Sequence, residues 1–146
     1  MKLQVARGTT RRAGFTLMEV LVVVAILVIL ASVAIIAVPR YIDDARKNQA
    51  LLRAQSLGQA CESFNLNSAN DTGYPQALNA LLQPPFGGPS FLKNGDKDLV
   101  DPWNKPYNYE IVTRADQTQA PLISTTAPDG TLISNFGIGD KARPNF

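Results

Sequence analysis

The side chains with the clearest chemical potential in this sequence are carboxylates, and they fall into two sets. Glu19 stands inside an apolar run from Phe15 to Val38, whose other polar residues are Thr16 and Ser32. A charged acid at the centre of a membrane helix costs roughly 2.5–3.5 kcal/mol, so Glu19 demands a cationic partner or a path to water. The second set comprises Asp96, Asp98, Asp101, Asp129 and Asp140. Such acids can contribute to the six to eight oxygens, or about that number, with which Ca2+ surrounds itself. The plainer reading of Asp129, just before Gly130, is a turn residue.

Other chemistries lack their parts. The chain contains no His, which excludes imidazole acid–base catalysis and His-ligated metals. Cys61 is the single cysteine, so no disulfide can form within the chain. It sits on an apolar helical stripe with no base to activate it and reads as a small buried hydrophobe. A membrane-tethered hydrolase would need a nucleophile with a base, or a metal-bound water. No G-x-S-x-G string is present, and the chain is read as non-enzymatic. Trp103, Tyr107 and Tyr109 interleave with Pro and Asn; a stacking platform is conceivable, but core residues that pin the Asp-Pro-Trp loop are the favoured reading.

The elements that must position these residues follow from pattern. Phe15 to Val38, at about 1.5 Å per residue, makes roughly 36 Å of helix, enough to cross a hydrocarbon core of about 30 Å. Strands of that length are rare. An ordinary cleaved secretory signal fits poorly, because the run is too long and the small residues Ala13-Gly14 precede it. Pro39 marks the exit from the apolar segment, where a helix bends. Beyond it Leu51, Ala54, Leu57, Cys61 and Phe64 form one helical stripe. The spacing predicts a single helix from about residue 15 to about residue 65, half apolar and half amphipathic.

The Asn, Asp, Gly and Pro cluster of "NLNSANDTGYP" ends that helix. "QALNALL" suggests a short helix over residues 76–82. Tyr107, Tyr109 and Ile111 alternate with Asn108, Glu110 and Val112, as in a half-buried strand. "PLISTT", a turn at Pro128-Asp129-Gly130 and a further short strand complete a small antiparallel sheet that packs on the helix stripe. The fold class expected is α+β. Net charge is +2, from 14 basic and 12 acidic residues. Lys2, Arg7, Arg11 and Arg12 all precede Gly14, leaving 10 basic against 12 acidic residues beyond it. That mildly acidic remainder offers no footprint for nucleic acid, and the basic head reads as a topology signal held on the cytoplasmic side.

The string "GFTLMEV", placed after a short basic leader and before a long apolar helix, resembles the N-terminal signal of type IV pilins and their relatives. "GYP" at Gly73–Pro75, "DPWNKPYNYE" at Asp101–Glu110 and "APDG" at Ala127–Gly130 are similar to the major pseudopilins of type II secretion systems. The resemblance implies a pilin-like fold with three parts: a leader over residues 1–14, a membrane and filament-core helix over 15–39, and a periplasmic globular domain over 40–146. It implies cleavage after Gly14 by prepilin peptidase and N-methylation of Phe15. Glu19 then becomes an assembly residue that pairs with the Phe15 amine, within one subunit or on a neighbour. The implied product is a subunit of a periplasmic pseudopilus in protein secretion, anchored by one span in the inner membrane. Its implied partners are further copies of itself, minor pseudopilins and an inner-membrane platform.

The alternative is a true type IV pilin for adhesion, motility or DNA uptake. Many major pilins close a C-terminal loop with two cysteines, whereas Cys61 stands alone on the helix. The resemblance also implies a calcium site at Asp129 and Asp140, although the family's later pair of acids is reduced here to Asp140. Asn104 replaces a glycine that the family commonly places after the Trp. Asn tolerates positive φ better than most residues, so the turn is expected to survive. Pro39 lies about three residues further from the cleavage site than is usual.

Overall fold

The computed structural model describes residues 14–67 and 69–143, with the side chains of residues 36 and 37 excepted. The basic residues of the expected leader lie outside this range. The chain divides into two compact units, residues 1–40 and 41–146. Helix α1, Leu17–Asn65, runs through both.

In the first unit α1 opens on Thr16 and is long and apolar enough, by length and composition, to cross a membrane. All described side chains of residues 14–35 are exposed. Ser32 returns its hydroxyl to the Ile29 carbonyl at 2.7 Å, which satisfies a polar group that hydrocarbon would not. Pro39 sits inside the helix; its ring nitrogen has no proton to give, so one rung of the ladder is absent there.

The second unit is built on the amphipathic half of α1. Ala54, Leu57, Cys61 and Phe64 are buried, as their spacing predicts, together with Ala50 and Ala60. The helix stops where Asn70 Nδ2 donates to the carbonyls of Phe64, at 2.8 Å, and Gly73, at 2.6 Å, joining the Asn67 N–H, at 3.3 Å, on the Phe64 carbonyl of the last turn. Phe64 then meets the rings of Phe86 and Phe91, with centroids at 5.0 and 5.6 Å. The Pro- and Gly-rich loop that carries those rings is thus a lid on the core. A 3-10 turn, Leu78–Leu81, takes the place of the expected short helix and buries both its leucines.

Strands β1 (Asn108–Thr113), β2 (Gln119–Thr126), β3 (Leu132–Ser134) and β4 (Gly137–Ile138) form an antiparallel sheet in that order. β2 is longer than the sequence suggests and contains Pro121, an unusual residue for an inner strand. Register resolves this. β3 pairs with β2 only from Ser124 to Thr126, so Pro121 faces no strand on that side. The Asn135 amide fills the gap: its Oδ1 accepts the Ile123 N–H and its Nδ2 donates to the Pro121 carbonyl, both at 2.9 Å. Gly58 of α1 lies against that amide, and a Cβ there would come within 3.3 Å of Nδ2.

The alternation expected in β1 holds at Tyr109 but fails at Ile111, which is exposed while Val112 is half-buried. β1 is an outer strand, and Ile111 lines an open cleft with Asn65, Tyr74 and Gln119 rather than the core.

Candidate functional site

Glu19 is the third residue of α1, and its place is fixed by Thr16. The Thr16 N–H and hydroxyl donate to Glu19 Oε2 at 2.8 and 3.0 Å, while the Glu19 N–H donates to Thr16 Oγ1 at 3.2 Å. This reciprocal arrangement is a capping box. The T-x-x-E spacing was legible in the sequence, but the apolar context directs attention to the cost of the acid and hides its local role. An acid in the first helical turn also faces the positive end of the helix dipole. Both bonds from Thr16 fall on Oε2; among the described residues none falls on Oε1. Gly14 and Phe15 precede the helix in non-helical conformation, and Phe15 is exposed. The scissile bond expected between them therefore lies outside helical hydrogen bonding. The surrounding side chains are aliphatic, with Leu17, Val20, Leu21 and Val24 lining a shallow apolar depression beside Phe15 and Thr16.

The second candidate, the set of aspartates, is dispersed. Asp101 is buried, and its carboxylate is fully used: Oδ1 accepts the N–H groups of Trp103 and Lys105 at 2.9 and 2.8 Å, and Oδ2 accepts the Thr125 hydroxyl at 2.6 Å. It is the knot of the Asp-Pro-Trp loop, tying that loop to β2. The sequence marks Asp101-Pro102 as turn chemistry as well as a possible oxygen ligand; the turn is borne out by the Trp103 N–H, and the tie to Thr125 is the part no local signal shows. Asn104 follows at φ +64°, so the glycine-like conformation survives with Asn in place. Asp98 accepts the Asn94 N–H and side-chain amide at 3.0 and 2.9 Å. Asp129 Oδ1 accepts the Thr131 N–H at 3.0 Å, and its Oδ2 pairs with Lys47 Nζ at 2.5 Å. The lysine, first, and then Thr131 hold the Asp129 carboxyl well below the usual carboxylate range. Asp140 is the second residue of the 3-10 turn Gly139–Ala142 and is exposed.

Among the described residues no three acid, Cys or His side chains gather closely enough to hold a metal ion. Of the two residues expected to hold Ca2+, Asp129 has one oxygen facing the Lys47 ammonium, a neighbour that repels a divalent cation.

The remaining candidates are structural. Burial pushes the Cys61 thiol up to about 12, so it is not a thiolate at neutral pH. The Tyr107 hydroxyl donates to the Ala50 carbonyl at 3.0 Å and that of Tyr109 to the Pro75 carbonyl at 2.7 Å. The first bond ties the residue before β1 to α1, and the second ties β1 to the loop that follows α1. Trp103 packs on the small cluster of Ala50, Ala127 and Ile133.

Comparison with known proteins agrees with these features. Residues 9–35 match the family model for the prokaryotic N-terminal methylation motif, and residues 37–131 match that for type II secretion system protein G. Type II secretion system core protein G of Pseudomonas aeruginosa is 35% identical over 105 residues, covering 68% of this chain and 73% of the relative. The protein of the same name from Escherichia coli is 27% identical over 147 residues, covering 94% of this chain and 99% of the relative. That of Aeromonas hydrophila is 31% identical over 102 residues, covering 66% and 71%. No solved structure matches the chain at a significant level. With a capped apolar helix bearing the methylation motif and a folded unit matching protein G over most of its length, the chain belongs to the type II secretion system protein G family of pseudopilins.

Proposed function

We propose that this chain is a structural subunit of a periplasmic pseudopilus, a helical homopolymer that helps drive proteins through a type II secretion system. The observation that carries the reading is the union, in one chain, of a membrane-length apolar helix bearing Glu19 at its start with a domain of the protein G family. On this reading residues 1–14 are the leader, prepilin peptidase cuts after Gly14, and the new amine of Phe15 is methylated. Residues 15–39 anchor the subunit in the inner membrane and later form the filament core, and residues 40–146 stand in the periplasm. Minor pseudopilins and an inner-membrane platform are the other partners. The chain performs no catalysis of its own.

Glu19 supplies the register. Cleavage liberates a Phe15 amine that is cationic at neutral pH. Thr16 holds Glu19 through Oε2, and Oε1 is the acceptor available to the amine of a neighbouring subunit. Hydrocarbon surroundings strengthen that attraction, while desolvation of both ions opposes it. An incoming subunit seated one turn out of place leaves two unpaired charges in lipid, which selects the correct position.

Deleting the gene in its host and restoring it in single copy tests the function. The native gene is expected to restore export of the secreted enzymes together with sheared filaments that contain the chain. Export at native level in the deletion strain would contradict the proposal.

A further inference from the structure

The turn at Asp129, where the resemblance leads one to expect calcium, is attached to α1 by a protein cation. The turn from β2 to β3 is closed by Ala127 N–H to Thr131 O and Gly130 N–H to Ala127 O, both at 2.9 Å. Pro128 and Gly130 occupy positions that suit a tight turn, with Gly130 at φ +86°. That accounts for the turn's shape but not for its attachment to α1. The attachment is Lys47, whose ammonium reaches Asp129 Oδ2 across 82 residues of sequence. The pair is partly shielded, with side-chain exposures of 21% for Lys47 and 51% for Asp129. Both residues line a cleft of about 280 Å3 with Asp43, Trp103 and Pro128. The second oxygen of Asp129 is committed to Thr131.

We propose that Lys47 is the resident cation of the Asp129 turn: its ammonium does the tethering for which the resemblance leads one to expect calcium, and the folded subunit neither binds nor needs Ca2+ there. A monovalent ammonium needs only a few oxygens, whereas Ca2+ needs about six to eight, and both carboxylate oxygens of Asp129 are already engaged, by Thr131 and by Lys47. The tether is intramolecular, so it is insensitive to the calcium content of its surroundings. The inference concerns the folded subunit and stands apart from the secretion reading, because its test involves no secretion.

The test uses the full chain in detergent micelles. Thermal unfolding is followed by Trp103 fluorescence with millimolar CaCl2 and with EGTA, for the native chain, Lys47→Met, Asp129→Asn and the double variant. The native midpoint is expected to be the same in both media. Each single variant is expected to melt a few degrees lower, and the double variant no lower than the singles, as for partners in one interaction. Calorimetric titration of the native chain with CaCl2 is expected to show no saturable heat. A saturable heat, a calcium-dependent rise of the native midpoint, or a Lys47→Met midpoint equal to the native one would overturn the proposal. If a variant does not fold, the native titration still decides the matter.

Discussion

The two halves of α1 share one secondary structure and hold it for opposite reasons. From Leu17 to Arg40 the described side chains are exposed, and the helix rests on its own ladder, the Thr16–Glu19 cap and apolar composition. From Ala50 to Phe64 one face is buried beneath the sheet and the Phe86–Phe91 loop. The first half is complete only with lipid or other helices around it. The second half is complete within its own unit. Function in the first half accordingly rests on what the chain leaves open, and in the second on what it closes.

The largest separation of the two halves is expected from Glu19→Gln. Gln keeps a capping box and removes the charge, so the variant should insert and fold with an unchanged unfolding midpoint yet form no filaments. Filaments at native yield from Glu19→Gln would show that capping is the whole role of this position. Conversely, Phe64→Ala empties the three-ring cluster and should cost about 3–5 kcal/mol, measured by denaturant unfolding in micelles, while membrane insertion is unaffected. A loss well below that range would mean that the Phe86–Phe91 loop collapses into the space.

Asp101→Ala should follow, at roughly 2–4 kcal/mol, because it strands the Thr125 hydroxyl and two loop N–H groups in a buried place. Asp101→Asn, which keeps one acceptor oxygen, should cost less, and equal losses would argue that the loop is held by packing alone. Thr16→Ala removes the cap of the exposed half. It should loosen the first helical turn by about 1 kcal/mol, seen as faster amide exchange near residues 17–19 with no change in the second unit.

The last effect is silent at neutral pH and appears only in alkali. Burial, above all, raises the Cys61 thiol from 9.0 to about 12. A raised folded value means that the stability tied to the neutral thiol is intact below pH 9 and is lost progressively as pH climbs towards 12. Cys61→Ala should flatten that part of the alkaline profile, whereas a profile of unchanged slope would assign the alkaline loss to Tyr107 and Tyr109, whose hydroxyls burial also raises.

Much of this was written locally in the sequence. The Leu57–Cys61–Phe64 stripe, the helix stop after Asn65 and the turn at Pro128–Gly130 follow from spacing and turn chemistry, and the structure places them as expected. Asn104 adopts the positive φ that its type tolerates. What escaped depends on partners distant along the chain. Lys47 and Asp129 are each ordinary surface residues until the fold joins them. The knot at Asp101 needs Thr125, which looks like any strand threonine. Pro121 is acceptable in β2 because Asn135 occupies the vacant edge. Glu19 is the reverse case: its partner Thr16 was three residues away, and the conspicuous apolar surroundings concealed it.

On the proposed reading, cleavage frees a cation beside the apolar helix and Glu19 of an adjacent subunit captures it. Intact-mass spectrometry of chain recovered from sheared filaments tests this most directly. The expected mass is that of residues 15–146 plus one methyl group. Filaments built from chain that retains residues 1–14 would contradict it.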